Sequence, residues 1–411
     1  MESVVGFEDL VSDVVEIVLS YLDTRDLCSL STCSKRLFVL VEGSDVWRKR
    51  CLQMLCEDVT RPEEWNQRTW KDLWVNVMEP WGPLIGMWVG QGQGPYGSLV
   101  HVTAEPPKIS GSSLLADRVS DPVLKSVPFF EVSFDGGGDA TMSCHRSVIP
   151  FDESPDSTSH CPHECKFIWV SSGFRFVCKG DCDHGRFERR NRKVSIMNAF
   201  VQDSNRDGES QDERLHSFYL HYLNESLTFD LWLAEVGKSH AEEHADFKRL
   251  EPQAGGQKHI LEGIYKGSYA SHGVEFVSLR VSDDSKLLVA RKLTGDPHIW
   301  SGSVTFQLDL ETQDHVDEEF VMPEGVEWRE GVSEDDGLTV FLRARGEGMI
   351  AEFGMKNPTS CPVELIGFKG EGGQPMKFAI HWETLEGIGM FEKLSSPIVS
   401  SHLMSNLRRV Q

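Results

Sequence analysis

The apolar residues of this chain change period near Leu84, and that change limits what it can fold into. Between residues 10 and 56 they follow helical spacing, at Val14, Val15, Val18, Leu19 and Leu22 and then at Leu27, Leu30, Leu37, Leu40 and Val41. Beyond Leu84 they alternate with polar residues: strictly at Val304, Phe306, Leu308 and Leu310, and again at Val277, Leu279 and Val281 and at Phe378, Ile380 and Trp382. Such strands bury one face and wet the other, and many short ones joined by Gly-rich turns make a sandwich or barrel. The expected class is α+β, with short helices first and a mostly antiparallel β-barrel after them.

In the helical part, Asp13 with Glu16 three residues on has the form of a helix start, and Asp23 or Thr24 is placed to cap a second helix. A third helix is expected from Ser44 or Asp45 through Leu55. A unit of about 45 residues rarely buries enough apolar surface to be stable alone, so a partner is expected to complete it. Trp65, Trp70, Trp74 and Trp81 follow; their rings need burial, and the stretch reads as a stiff joint to the β region.

A Gly-aromatic pattern recurs. Gly86-Met87-Trp88 followed by Gly94-Pro95-Tyr96-Gly97 is echoed by Gly263-Ile264-Tyr265 followed by residues 268–273, and more faintly by residues 348–354. Such entries suit a closed sheet that bends sharply where an aromatic ring plugs its end. Acidic stretches at 203–213, 237–256 and 311–337 read as loops.

Charge removes several function classes. Among 411 residues, 64 acidic groups against 41 basic ones give a net charge of -23, which repels phosphate backbones and disfavours a nucleic-acid reader. The first ten residues lack a secretory pattern, and runs such as Val14 to Leu22 are too short to span a bilayer, so a cytoplasmic or nuclear protein without membrane contact is expected. Cysteines there are reduced, and clustered ones read as metal ligands. Cys144, His145, His160, Cys161, His163, Cys165, Cys178, Cys182 and His184 form such a cluster, with structural zinc as the expected cofactor. By spacing alone the candidate ligands are Cys161, Cys165, Cys178 and Cys182. Other motifs fail on inspection: Gly237-Lys238-Ser239 lacks the earlier glycine of a phosphate loop, and His240 and His244 lack the glutamate of a metalloprotease.

Residues 10 to 51 resemble an F-box, through the run from Leu10 to Leu22, then Asp26-Leu27-Cys28-Ser29-Leu30 with Lys35-Arg36-Leu37, and Asp45-Val46-Trp47-Arg48. The resemblance implies a helical unit that docks on a Skp-type adaptor and so joins a cullin-RING ubiquitin ligase, through Leu10, Val14, Ile17, Val18, Leu22, Leu27, Leu30 and Trp47. Val11 stands where that family usually has proline. The remainder is similar to F-box proteins whose β-barrel selects the substrate, through residues 94–97, 263–273 and Leu293-Thr294-Gly295-Asp296-Pro297. This implies a non-catalytic receptor whose barrel holds a target protein's chain end, with Tyr96, Tyr269, Ser271, His272, Thr294 and Asp296 as pocket residues. Asp296 would accept from a neutral chain-end amide or would only cap its own turn. The same resemblance favours Cys144, His163, Cys178 and His184 as the zinc ligands. The expected division is an F-box at 10–56, a joint at 57–83, a barrel domain at 84–396 with a Cys/His insertion at 141–190, and a tail at 397–411. The competing reading is a small-molecule-binding barrel with no ligase role.

Overall fold

The computed structural model describes residues 11–43, 45–55, 61–91, 97–116, 124–145, 147–148, 159–161, 163–170, 173–179, 244–250, 259–268, 274–296, 298–319, 327–329, 339–352, 354–369, 375–385 and 387–394. Four helices come first: α1 (Ser12–Tyr21), α2 (Thr24–Cys33), α3 (Lys35–Gly43) and α4 (Val46–Leu55). Asp23 caps α2 by accepting from the Asp26 amide, as expected. Helix α1 begins one residue before Asp13 and has no side-chain cap. Ser34 interrupts what reads as one long helix, and its hydroxyl accepts from the Leu37 amide to start α3. Val15, Leu19, Leu27, Val41, Val46 and Trp47 fill the centre of this unit. No helix among the described residues is long and apolar enough to cross a membrane.

The tryptophan joint is helical, with α5 (Trp70–Leu73) running through a π-helical turn (Trp74–Met78) into a last turn (Glu79–Trp81). Trp70 and Trp74 pack against the helical core on one side and the first β core on the other. Polar contacts fix both ends. Trp74 Nε1 donates to Thr24 Oγ1 at 2.8 Å, and the amides of Asn66 and Gln67 donate to the carbonyls of Phe134 and Asp135 at 2.9 and 3.1 Å. Arg50 lies between the rings of Trp47 and Trp74, its carbon 5.7 and 5.6 Å from their centroids, and donates to the Leu22 carbonyl. Burial holds the nearby Cys51 thiol protonated, with its pKa pushed up to about 12.

The region beyond residue 84 resolves into two successive antiparallel rings. The first is built from β1 (Gly86–Gln91), β2 (Ser98–Glu105), β3 (Lys108–Leu115), β4 (Lys125–Phe134), β5 (Ala140–Cys144), β8 (Cys165–Val170), β9 (Gly173–Cys178) and β10 (His244–Arg249), in spatial order 5-4-3-2-1-10-9-8. A two-stranded piece, β6 (Ser147–Val148) with β7 (Ser159–His160), stands apart. The second ring runs β11 (Gly263–Ser268), β12 (Val274–Val281), β13 (Leu287–Lys292), β14 (Val304–Asp309), β17 (Thr339–Glu352), β18 (Lys356–Lys369), β19 (Pro375–Trp382) and β20 (Gly387–Lys393), and β20 pairs back on β11. Strands β15 (Asp314–Glu319) and β16 (Glu327–Arg329) lie beside it, on β17 and β20. Residues 203–213 lie outside the described residues, and the other two acidic stretches expected as loops, 237–256 and 311–337, supply strands β10, β15 and β16. Their wet faces carry the charges, as in Asp246 and Lys248 on either side of buried Phe247.

The two Gly-aromatic motifs open the two rings, and each ring closes on its motif in the same way. Trp88 Nε1 donates to the Leu84 carbonyl at 2.6 Å; Tyr265 Oη donates to the Leu261 carbonyl, also four residues back, at 2.9 Å. Opposite Trp88 on the last strand stands Arg249, with its guanidinium 5.6 Å from the indole centroid and two hydrogen bonds to the carbonyls of Pro83 and Ile85. Opposite Tyr265 on its last strand stands Lys393, with its ammonium 6.0 Å from the ring and 3.5 Å from the Ile260 carbonyl. Gly86 and Gly263 adopt φ of 134° and 154°, and a Cβ there would meet the Arg249 and Lys393 side chains. The fainter third copy opens nothing, since Gly348 lies inside β17, where Trp382 packs against it.

Even and odd positions then separate cleanly. Trp88, Val100, Val102, Phe130, Phe174 and Phe247 face into the first ring, and Tyr265, Val277, Leu279, Phe306 and Phe378 into the second. Their neighbours Met87, Val89, Leu99, Ile264, Phe276 and Leu293 face outward and form the core between the rings. An L-residue at φ above +100° is strained, so Gly86→Ala and Gly263→Ala are each expected to cost more than about 1 kcal/mol and to lower the thermal midpoint by about 2 °C or more. Unchanged midpoints in both variants would show that the closure does not depend on these entries.

Candidate functional site

Three features carry chemistry. The first is the outer face of α1, where Val11, Val14, Ile17 and Tyr21 recur at helical spacing and stay exposed, Ile17 by 57% and Tyr21 by 83%. Phe38 and Val39 of α3 are exposed as well. The other side of α1 is the helical core, and among the described residues nothing covers this apolar face. Of the residues expected at an adaptor surface, Val14 and Ile17 lie on this face; Val18, Leu22 and Leu30 are half-buried, the last two packed against the helical core. Leu27 and Trp47 are 0% and 2% exposed and hold the unit together, because their spacing marks the inner side of α2 and α4. Leu10 lies outside the described residues. Tyr21, Phe38 and Val39 went unnoticed in the sequence because aromatic and β-branched residues read as core.

The second feature is a buried charge cluster in the second ring. Asp296 is buried; its Oδ1 accepts from the amides of His298 and Ile299 at 2.6 and 2.8 Å, and its Oδ2 pairs with the Lys292 ammonium. Lys292 also meets the Glu275 carboxylate at 2.8 Å. Thr294 Oγ1 accepts from the Phe276 amide at 2.9 Å. Of the two roles open to Asp296, the structure therefore shows the turn cap, extended by an ion pair. Thr294 and Asp296 sit together in one buried turn; Tyr96, Tyr269, Ser271 and His272 lie outside the described residues. Glu275 and Lys292 were missed, although the alternation Glu275, Val277, Leu279 and Leu288, Ala290, Lys292 puts both on the inner face. Two carboxylates, Glu275 and Asp296, thus meet one ammonium in the interior.

The third feature lies at the junction of β5 with β8 in the first ring. Among the described residues, β5 meets the start of β8 through an isolated bridge between Ser143 and Glu164, with the Cys144 amide donating to the His163 carbonyl at 3.1 Å. The matching junction in the second ring is the long β17–β18 ladder. Cys144 ends β5, Cys161 precedes β8 and Cys178 ends β9, and their three buried sulfurs lie within 4.8 Å of one another. Cys161 Sγ is 3.6 Å from Cys178 Sγ and 3.4 Å from His163 Nδ1. Sulfurs sharing a tetrahedral zinc at about 2.3 Å stand about 3.8 Å apart, so this donor set suits a metal of that kind. Neither expected ligand set is reproduced whole. Cys178 belongs to both sets, Cys144 to one and Cys161 to the other; His163 stands beside Cys161 but outside the three-sulfur group, Cys165 is buried outside it too, and Cys182 and His184 lie outside the described residues. Spacing could not separate Cys161 from Cys165, because the strand register decides which sulfurs converge.

Comparison with known proteins bears on the first two features. Residues 7–49 match the family model described as F-box domain, and residues 247–397 match the one described as Cyclin D1 binding domain. The chain carries an F-box domain. It is homologous to F-box only protein 31: the Rattus norvegicus protein is 25% identical over 316 residues, 72% of this chain and 54% of that protein. This F-box chain thus spans about half the length of the relatives it matches first. Protein EXECUTER 2, chloroplastic, of Arabidopsis thaliana is 28% identical over 153 residues, covering 33% of this chain and 21% of that one. A solved Nostoc punctiforme protein of unknown function from the DUF3598 family aligns with 8% identity over 78% of this chain and 98% of its own, at a TM-score of 0.14.

The charge cluster gives a test of its own. Lys292→Met leaves two buried carboxylates without their cation and is expected to cost about 3–5 kcal/mol, read as a lower denaturant midpoint; adding Glu275→Gln should recover part of the loss. A Lys292→Met midpoint equal to that of the parent chain would contradict the arrangement.

Proposed function

We propose that this chain is the substrate-recognition subunit of an SCF-type ubiquitin ligase. Its F-box would dock on a Skp-type adaptor and through it a cullin-RING ligase, in the cytoplasm or nucleus, while the barrel region selects target proteins for ubiquitination. The observation that carries this is the exposed apolar face of α1 within the segment matching the F-box model. A lone helical unit with such a face needs a partner, and the tryptophan joint turns whatever it binds into a fixed base for the rings. In this role the chain itself is non-catalytic.

The substrate would be engaged by the second ring as a chain end. Supporting this, the segment matching the Cyclin D1 binding domain model begins in β10 and takes in that whole ring. With the carboxylates of Glu275 and Asp296 beside the buried turn that holds Thr294, a neutral chain end such as a terminal amide would fit better there than a free carboxylate. The small-molecule carrier reading is weaker because both ring interiors are filled with aromatic side chains: Phe174 stacks on Phe247 at 5.0 Å and Phe378 on Phe391 at 4.8 Å. The thiol cluster would hold structural zinc through Cys144, Cys161, Cys178 and His163, tying β5 to β8 and β9.

Adaptor docking is tested by pull-down with a Skp-type adaptor. Ile17→Asp is expected to weaken binding by at least tenfold, about 1.4 kcal/mol, with the thermal midpoint unchanged; Leu27→Asp should instead unfold the helical unit. Full binding by the Ile17 variant would sink the proposed surface. The zinc reading predicts about one zinc per chain by elemental analysis under non-chelating conditions, with loss in Cys161→Ser; a metal-free, folded parent chain would contradict it.

A further inference from the structure

The zinc reading treats the three sulfurs as equals, but their geometry does not. Cys161 and Cys178 hold their sulfurs 3.6 Å apart, near van der Waals contact, in a group whose three sulfurs all lie within 4.8 Å of one another. They stand on separate pieces of chain, one before β8 and one at the end of β9, so the approach is set by the β8–β9 register. Of the three, Cys178 is the most accessible at 8% exposure, against 4% for Cys161 and 1% for Cys144. Cys165 faces Cys178 directly in the ladder, yet its sulfur is not among the converging three.

We propose that Cys161 and Cys178 form a reversible oxidation site for hydroperoxides, closing to a disulfide that excludes metal. The Cys178 sulfur attacks one peroxide oxygen; the O–O bond breaks, an S–O bond forms, and the other oxygen leaves with the Cys178 thiol proton, as water from hydrogen peroxide or as an alcohol from an organic hydroperoxide, so the sulfur becomes a sulfenic acid. The Cys161 sulfur then attacks the Cys178 sulfur. An S–S bond forms, the S–O bond breaks, and the hydroxyl leaves with the Cys161 proton as water. The two thiols together lose two electrons, and the peroxide gains them. A dithiol reductant restores the thiols by exchange.

The structural consequence rests on the zinc reading. In the metal-bound form the centre ties three segments together, β5 through Cys144 and the β8–β9 pair through Cys161 and Cys178. The disulfide takes away two of the sulfur ligands and links only the β8–β9 pair, so β5 loses its covalent tie. What remains at that junction is the single bridge between Ser143 and Glu164 with its neighbouring hydrogen bonds. Oxidation would therefore loosen the first ring at one junction while the second ring, closed by full ladders, stays shut.

The experiment treats the full-length chain with hydrogen peroxide, follows zinc with a chromophoric chelator, blocks remaining thiols and maps crosslinked peptides. The expected result is a dominant Cys161–Cys178 crosslink, zinc release in step with it, increased alkylation of Cys144, and reversal of all three by a dithiol reductant. In Cys161→Ser, a sulfenic-acid trap such as dimedone should label Cys178 instead, and Cys165→Ser should behave as the parent chain. A dominant bridge from Cys178 to Cys165 or Cys144 would overturn the proposal, as would intact cluster thiols when exposed Cys33 is already oxidised. A chain that purifies without zinc yet forms the 161–178 bridge would uphold the oxidation site and remove the zinc reading alone.

Discussion

A closed sheet holds only while its first and last strands stay paired, and here that pairing is secured twice by one device: a cation from the last strand laid over an aromatic ring of the first. Arg249 over Trp88 and Lys393 over Tyr265 each bind ring face and backbone carbonyls at once, and the ring's own polar atom is tied to the carbonyl four residues back. Each such cation–π contact is worth about 0.5–2 kcal/mol, but its larger effect is geometric. It fixes which residues of β1 and β11 face inward, and the period of two carries that choice around each ring. Burial raises the Tyr265 hydroxyl well above its ordinary range, which keeps it protonated and donating.

With the rings fixed, the remaining parts acquire definite places. The outward residues of β1, β11 and β12 meet as a second core, so the two rings are packed face to face rather than strung on a linker. The joint enters the base of the first ring with Trp65 fully buried and carries the helical unit on Trp70 and Trp74. Rigid connection matters for a receptor, because whatever the α1 face docks on is then held at a set distance from the second ring. Among the described residues, the junction of β5 with β8 is held by an isolated bridge, and three cysteines gather there.

Much of this is legible in the residues. The two periods separate helices from strands, Asp23 marks the start of α2, and the paired Gly-aromatic entries mark where rings begin. What they do not mark is that there are two rings, because the closing residues Arg249 and Lys393 lie some 130 to 160 positions away and differ in side chain. Glu275 and Lys292 were hidden by the habit of assigning charges to wet faces; the alternation itself, followed through, puts them inside. Leu27 and Trp47 were misplaced for the opposite reason, since a helical unit this small needs its large apolar residues for its own core. The sulfur set was undecidable because one-residue differences in register redirect a side chain to the other face of a sheet.

The central claim, that one end of the molecule docks an adaptor while the second ring takes a target's chain end, is tested most directly by hydrogen exchange of the full chain. It would be measured alone, with a Skp-type adaptor, and with a peptide ending in an amide. The account predicts that the adaptor slows exchange in α1 and α3 only, and that the peptide slows it in β12, β13 and the turn at residues 293–299. Protection by the adaptor confined to the rings, or peptide protection confined to the first ring, would contradict it.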